Sequence, residues 1–177
     1  MELQQAMETR RSVREYLPRP VEPEKIAAVL QAASLAPSWK NSQVARYYVA
    51  ASPQAVEDVR AALPAFNRDS CKNAPVLVVC AMVSHRSGFE RSGEATNELG
   101  DGWGCYDCGL AHMNLLLKAT ELGLSTLVMG IRDADALRRR LEIPDDQTVL
   151  GVIAIGYSDL APDMPPRRSP EETIRYF

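Results

Sequence analysis

The run Pro75-Val76-Leu77-Val78-Val79-Cys80-Ala81 constrains this chain more than any other segment. A half-exposed strand alternates apolar and polar residues with period two. An unbroken apolar run of this length suits a strand covered on both faces. Around it, helical and extended patterns are interleaved. Glu2–Thr9 reads as a short helix. Pro23 marks a second helix start, with Ile26, Val29, Leu30 and Ala33 at helical spacing, and the helix ends near Ala36 because Pro37 follows. Tyr47–Ala51 reads as a strand, and Ser52-Pro53 caps a helix through about Leu63. A long helix is expected from Tyr106 to Leu122, carrying Leu110, Met113, Leu116 and Leu117, with Gly123 as its C-terminal cap. Ser125–Met129 is a short strand, Asp133 caps a helix through Leu141, and Val149–Tyr157 forms a last buried strand. The pattern places the chain in the α+β or α/β class.

Between the central strand and the long helix lies a different kind of segment. Ser84–Gly104 is polar, contains five glycines and lacks periodicity, so it is expected to be a functional or mobile loop. The tail from Pro162 to Phe177 is rich in Pro and Arg and is not expected to pack by itself. No internal repeat or linker interrupts the chain, and 177 residues suit one domain spanning 1–177 with a real core.

Arg10-Arg11-Ser12-Val13-Arg14 places three guanidinium groups and a hydroxyl within five residues. Guanidinium forks meet phosphate and other planar anions with paired N–H groups, although a short basic run by itself is more often a solvated face. The net charge of −3 argues against broad, nonspecific nucleic-acid binding, which needs a basic surface, and makes this cluster a local cationic site, as small-anion binding requires. Met1-Glu2-Leu3-Gln4-Gln5 has neither a basic start nor an apolar run and does not read as a signal peptide. No stretch reaches the length of a membrane span. The four cysteines are expected as free thiols in a reducing cytoplasm.

Pro37-Ser38-Trp39-Lys40-Asn41-Ser42-Gln43 offers hydroxyl and amide groups able to read a heterocycle's edge, although polar loops are common. Cys105-Tyr106-Asp107-Cys108 has the spacing of a redox dithiol, but it opens a helix after a Gly-rich loop instead of following a strand. His85 and His112 do not complete a zinc site with it, so packing thiols are the expectation. Gly100-Asp101-Gly102-Trp103-Gly104 lacks the strand and the spacing of a dinucleotide fingerprint. No metal site and no local nucleophile–base signature is present.

Taken in order, these segments resemble the FMN-dependent nitroreductase family. Its opening Arg-Arg-Ser-x-Arg motif is matched by Arg10 to Arg14, and its Pro-Ser-x-x-Asn-x-Gln motif by Pro37, Ser38, Asn41 and Gln43. Asn73-Ala74-Pro75, Asp107-Cys108-Gly109-Leu110-Ala111, Leu122-Gly123-Leu124 and Met129-Gly130-Ile131 follow in family order. So do Leu141-Glu142-Ile143-Pro144, Ile155-Gly156-Tyr157 and a basic tail with Arg167 and Arg168. Two departures stand out. Val44-Ala45 replaces an aromatic pair that often forms part of the pocket wall, and the substrate-covering excursion is reduced to about residues 84–104.

The resemblance implies an α+β fold, a central mostly antiparallel sheet flanked by helices, forming an intertwined homodimer with flavin at the interface. It implies FMN as cofactor and NADH or NADPH as donor. Hydride would pass by a ping-pong mechanism to nitroaromatic, quinone or related planar acceptors. By that resemblance Arg10, Ser12, Arg167 and Arg168 hold the phosphate and ribityl chain, with Arg11 beside them and Arg14 at the N1–C2 edge of the ring. Pro37, Ser38, Asn41 and Gln43 meet the polar edge or ribityl chain across the interface. The backbone at Met129 and Gly130 faces N5. No catalytic side chain is required, because the cofactor carries the hard step. The rival readings are a flavin-binding storage or sensing module without turnover, and a dithiol protein using Cys105 and Cys108.

Overall fold

A computed structural model of the chain describes residues 1–177. Helix α1 (Leu3–Thr9) leads through an extended segment to α2 (Pro23–Ser34), then to strand β1 (Ala45–Ala50), α3 (Pro53–Arg60), α4 (Ala65–Ser70) and β2 (Val76–Val83). Helix α5 (Gly102–Glu121), β3 (Ser125–Met129), α6 (Ala134–Leu141), β4 (Gln147–Gly156) and the single turn α7 (Pro170–Thr173) complete it. The four strands form one sheet in the order β1-β2-β4-β3, and every neighbouring pair is antiparallel.

The apolar run is the second strand from one edge, covered on both faces as its composition demands. Leu77 and Val79 point to a layer containing Val56, Val59 and Leu63 near α3 and Leu137 of α6. Val76, Val78 and Cys80 point to the opposite layer, against Val29 and Ala33 of α2 and Ala111, Leu115 and Ala119 of α5. β4 alternates in the same way, Val152 and Ala154 to the first layer, Ile153 and Ile155 to the second. The result is helix, sheet and helix in three layers. A fully buried Val, Leu or Ile contributes about 1.5–3 kcal/mol by leaving water, so these two layers carry most of the driving force.

The caps fall where the sequence places them. Ser52 accepts from the Ala55 N–H at 3.3 Å, and Asp133 accepts from the Ala136 N–H at 2.9 Å. Gly123 ends α5 at φ +74, and the Leu124 N–H closes back on the Ala119 carbonyl at 2.8 Å.

Three differences from the sequence reading matter. α5 starts at Gly102, inside the expected loop, so its first turn belongs to the Gly-rich stretch. Its buried side is Gly104, Asp107, Cys108, Ala111, Leu115, Leu116 and Ala119, whereas Leu110, Met113 and Leu117 are turned away from it. The excursion before α5 is no open loop. His85 N–H donates to Asp101 Oδ1 at 2.6 Å, Phe89 bridges to Ala95, and the Trp103 indole donates to Asn97 at 2.9 Å.

Candidate functional site

The arginine segment is pinned by alternate residues. Val13 and Tyr16 are buried, the Val13 N–H donates to Thr126 of β3 at 3.0 Å, and the Leu17 N–H donates to the Tyr157 carbonyl at 2.8 Å. Ser12 pairs in parallel with Thr126, and Ser12 and Arg14 are thereby left facing solvent. Arg10 and Arg11 line a hollow of about 250 Å³ with Thr120, Gly123, Leu124 and Pro162. Arg11 spends its guanidinium on the carbonyls of Glu8, Arg10 and Pro162, the last at 3.1 Å, which fixes the start of the tail. Arg14 lines another hollow of about 360 Å³ with Asp69, Lys72 and Asn73, and donates only to the Ser12 carbonyl at 3.3 Å. In the tail, Arg167 bonds its own segment's carbonyls and Arg168 lies 3.9 Å from Glu172.

The second motif forms a tight turn after α2, with a 3₁₀ turn at Trp39–Asn41. Lys40, Asn41 and Gln43 all sit at positive φ, at 46°, 55° and 48°, in the left-handed region that side-chain-bearing residues avoid. Pro37, Asn41 and Gln43 are exposed and Ser38 is half-buried. Ser38 Oγ accepts from the Gln43 N–H at 2.9 Å, and Gln43 donates to Asn41 Oδ1 at 3.2 Å. Pro37, Ser38 and Gln43 line a hollow of about 230 Å³ with Leu30, Tyr47 and Asp107. The Trp39 ring packs at a tilt of 51° against Trp103, centroids 4.6 Å apart, and Lys40 pairs with Glu90 at 2.9 Å, so the excursion is attached to this turn from outside. Val44 packs its side chain against Met82 and Cys108, and with Ala45 it also lines the hollow beside Pro37, Ser38 and Gln43.

Gly130 follows β3 on the surface. Met129 is buried, and the exposed surface begins at the Gly130 backbone. The Asn67 amide donates to the Ile131 carbonyl at 3.0 Å, and a Cβ built on Gly151 would lie 2.9 Å from the Met129 carbonyl oxygen. This backbone segment is therefore held from two sides. A Cβ on Gly130 itself would meet nothing within 4 Å.

Gly130 shares a hollow of about 240 Å³ with Cys80, Cys105, Cys108 and His112. Burial pushes the Cys108 thiol up to about 12, with neighbouring Cys105 adding to the effect, so Cys108 is a protonated packing thiol at neutral pH. Cys105 differs from the expectation in being exposed. Burial pushes the His112 imidazole down, and its Nε2 finds no partner. No group of three or more His, Cys, Asp or Glu side chains is arranged to hold a metal ion.

Within one protomer these residues are not brought together. The arginines, the polar turn and Gly130 face separate hollows, none of which is lined by two of the sets. Three further residues take part in the architecture with no role assigned to them from the sequence, although Asp107 lies in the Asp107–Ala111 segment quoted above. Asn67 holds Ile131, while Asp107 and Ser87 meet beneath the polar turn at 2.6 Å.

The nitroreductase family's sequence model matches residues 7–68 and 60–157. A protein of Archaeoglobus fulgidus, described as a candidate NADH dehydrogenase/NAD(P)H nitroreductase, is 31% identical over 153 residues, covering 84% of this chain and 81% of its own length. A protein of Methanothermobacter thermautotrophicus with the same description is 29% identical over 162 residues, covering 89% and 78%. Among solved structures, a nitroreductase-like protein of Exiguobacterium sibiricum in complex with FMN superposes with a TM-score of 0.86 at 18% identity, over 100% of this chain and 98% of that one. The sheet order, the ordered motifs and a match spanning most of the chain agree: it belongs to the nitroreductase family of oxidoreductases.

Proposed function

We propose that the chain is an FMN-dependent NAD(P)H oxidoreductase that works as a homodimer with its flavin sites between subunits. The observation that carries the reading is the state of the arginines. Arg10, Arg11, Arg14 and Arg167 have no carboxylate partner within ion-pairing distance, although Asp and Glu outnumber Lys and Arg by 23 to 20. Cations left without counter-ions on an acidic chain suit a phosphate-bearing ligand. The open surface above Gly130 and the outward-facing amides of Asn41 and Gln43 suit a flat heterocycle with alternating donors and acceptors. The residues thus fit FMN.

On this reading Arg10, Ser12, Arg167 and Arg168 hold the phosphate and ribityl chain, and Arg11 fixes the tail beside them. Arg14 supplies a cation that offsets negative charge on the ring. Pro37, Ser38, Asn41 and Gln43 face the polar edge, and the Met129–Gly130 backbone lies along the ring with its N–H free to donate. When bound, FMN supplies the two-electron chemistry, taking hydride from NADH or NADPH and passing it to a nitroaromatic, quinone or similar planar acceptor in alternating half-reactions. No side chain need act as nucleophile or base.

The dimer is supported by what a lone protomer leaves uncovered. Tyr106 is 61% exposed and Met113 46% exposed on α5, and Ile174, Tyr176 and Phe177 are exposed at the end of the tail. Separation of the arginines from the polar turn within one protomer supports it too, since a second copy is needed to complete the cradle. No helix is long and apolar enough to cross a membrane.

The test is the visible spectrum of the purified protein before and after anaerobic NADH or NADPH. A yellow protein that bleaches supports the reading and identifies the donor. Flavin that stays oxidised with both donors would favour a binding module without turnover. A colourless protein that takes up no added FMN would overturn it.

A further inference from the structure

Asp107 is 5% exposed in the second turn of α5, with no cation within ion-pairing distance. Its carboxylate is nevertheless fully engaged. Both oxygens accept from the Trp39 N–H at 3.1 Å, and Oδ2 also accepts from the Ser42 hydroxyl at 3.2 Å and the Ser87 hydroxyl at 2.6 Å. Three segments distant in sequence thus meet on one carboxylate: the helix, the turn after α2, and the excursion before α5.

The turn needs such a clamp. Three of its side-chain-bearing residues, Lys40, Asn41 and Gln43, lie in the left-handed region, which Asn tolerates but which strains Lys and Gln. Bonds within the turn run from Asn41 N–H to the Ser38 carbonyl at 3.0 Å, Ser42 N–H to the Trp39 carbonyl at 2.8 Å, Gln43 N–H to Ser38 Oγ at 2.9 Å and the Gln43 amide to Asn41 Oδ1 at 3.2 Å, and none of them ties the turn to α5. An ionised acceptor makes hydrogen bonds roughly twice as strong as a neutral one, and burial raises the stake of each.

We infer that Asp107 is a positioning residue, holding the Pro37–Gln43 turn in its strained shape so that Ser38, Asn41 and Gln43 are arranged before the cofactor arrives. Through Ser87 the same carboxylate ties the excursion to the turn, so displacement of the excursion is felt where the cofactor's edge is read. This inference rests on the FMN reading above. Asp107 itself does not touch the ligand.

Asp107→Asn keeps the shape but replaces one acceptor oxygen with a donor, which the fixed Trp39 N–H cannot accommodate on that side. FMN titration of the apoprotein, by quenching of flavin fluorescence, is expected to show a Kd raised about tenfold, the worth of one charge-assisted bond. The thermal midpoint of the apoprotein should move by only a few degrees. Tryptophan emission of the apoprotein should shift as the Trp39–Trp103 contact loosens, and this readout needs no flavin. If wild type binds no FMN, the cofactor reading fails, and the emission shift alone decides whether Asp107 positions the turn. Wild-type affinity together with unchanged emission in Asp107→Asn would overturn the inference. Should that variant not fold, Ser42→Ala and Ser87→Ala each remove one hydroxyl bond and leave the carboxylate in place. Weaker FMN binding at an unchanged thermal midpoint supports the clamp, and wild-type binding in both rejects it.

Discussion

Two glycines beside the Met129–Gly130 backbone separate folding from cofactor binding. In Gly151→Ala the new methyl would sit 2.9 Å from the Met129 carbonyl oxygen, where ordinary contact begins at 3.4 Å. Backbone cannot swing aside as a side-chain tip can, so β3 must yield by about 0.5 Å within a packed sheet, at a cost of about 2 kcal/mol. For a chain of this size that lowers the thermal midpoint by about 4–8 °C. In Gly130→Ala the methyl meets nothing within 4 Å, so the apoprotein should melt within about 2 °C of wild type. The same methyl would occupy the surface assigned to the flavin ring, and FMN affinity should fall at least tenfold. Thermal unfolding of the apoproteins and FMN titration separate these effects. Gly130→Ala that binds FMN as wild type does, with an unchanged spectrum, would refute the placement of the ring. Gly151→Ala with an unchanged midpoint would refute the packing argument.

Arg14→Ala should weaken FMN binding by about 10–100-fold, the worth of a charge-assisted contact, and the loss should shrink at high salt; equal affinity measured at low salt would remove Arg14 from the site. Because burial depresses the His112 imidazole, the folded state resists its protonation while the unfolded state does not. Stability is therefore full above about pH 6.5 and declines as pH falls through the lower folded value. Denaturant titrations from pH 7.5 to 5 should show a decline that is smaller in His112→Phe. The Cys105→Ser/Cys108→Ser double variant should keep NAD(P)H oxidation within about twofold of wild type, since Cys108 is held protonated, whereas loss of turnover with flavin still bound would revive a dithiol mechanism.

The framework was legible because its signals are local. An apolar run, two N-caps and a glycine after a helix report on their own neighbourhoods, and each is found where it was expected. α4 escaped notice because six residues give a periodicity too little length to register. The burial of α5 was misjudged because leucines occur all around it. Packing against α2 and the sheet selected the face with Gly104, Cys108 and Ala111, where small side chains permit close approach. The motif residues could be named, but not the separate hollows they line, since tertiary packing and not local pattern decides which side chains share a hollow. Asp107 stands in the cysteine motif and opens the Asp107–Ala111 segment, yet neither reading gives it a role. Its partner Trp39 is 68 positions away, and no local rule links a helical carboxylate to a turn at that separation.

The strand order has a consequence for biosynthesis. β2 emerges early, yet its neighbour on one side is β4, the last strand made and the one that joins β3 to the rest. About 70 residues separate the starts of the two, so at about 5–20 residues per second the most apolar segment of the chain waits roughly 4–14 s with one edge unpaired. During that interval only its pairing with β1 and the helices already made can shield it. The ribosome-bound intermediate is thus the form of this protein most open to chaperone capture and to misassembly with other nascent copies.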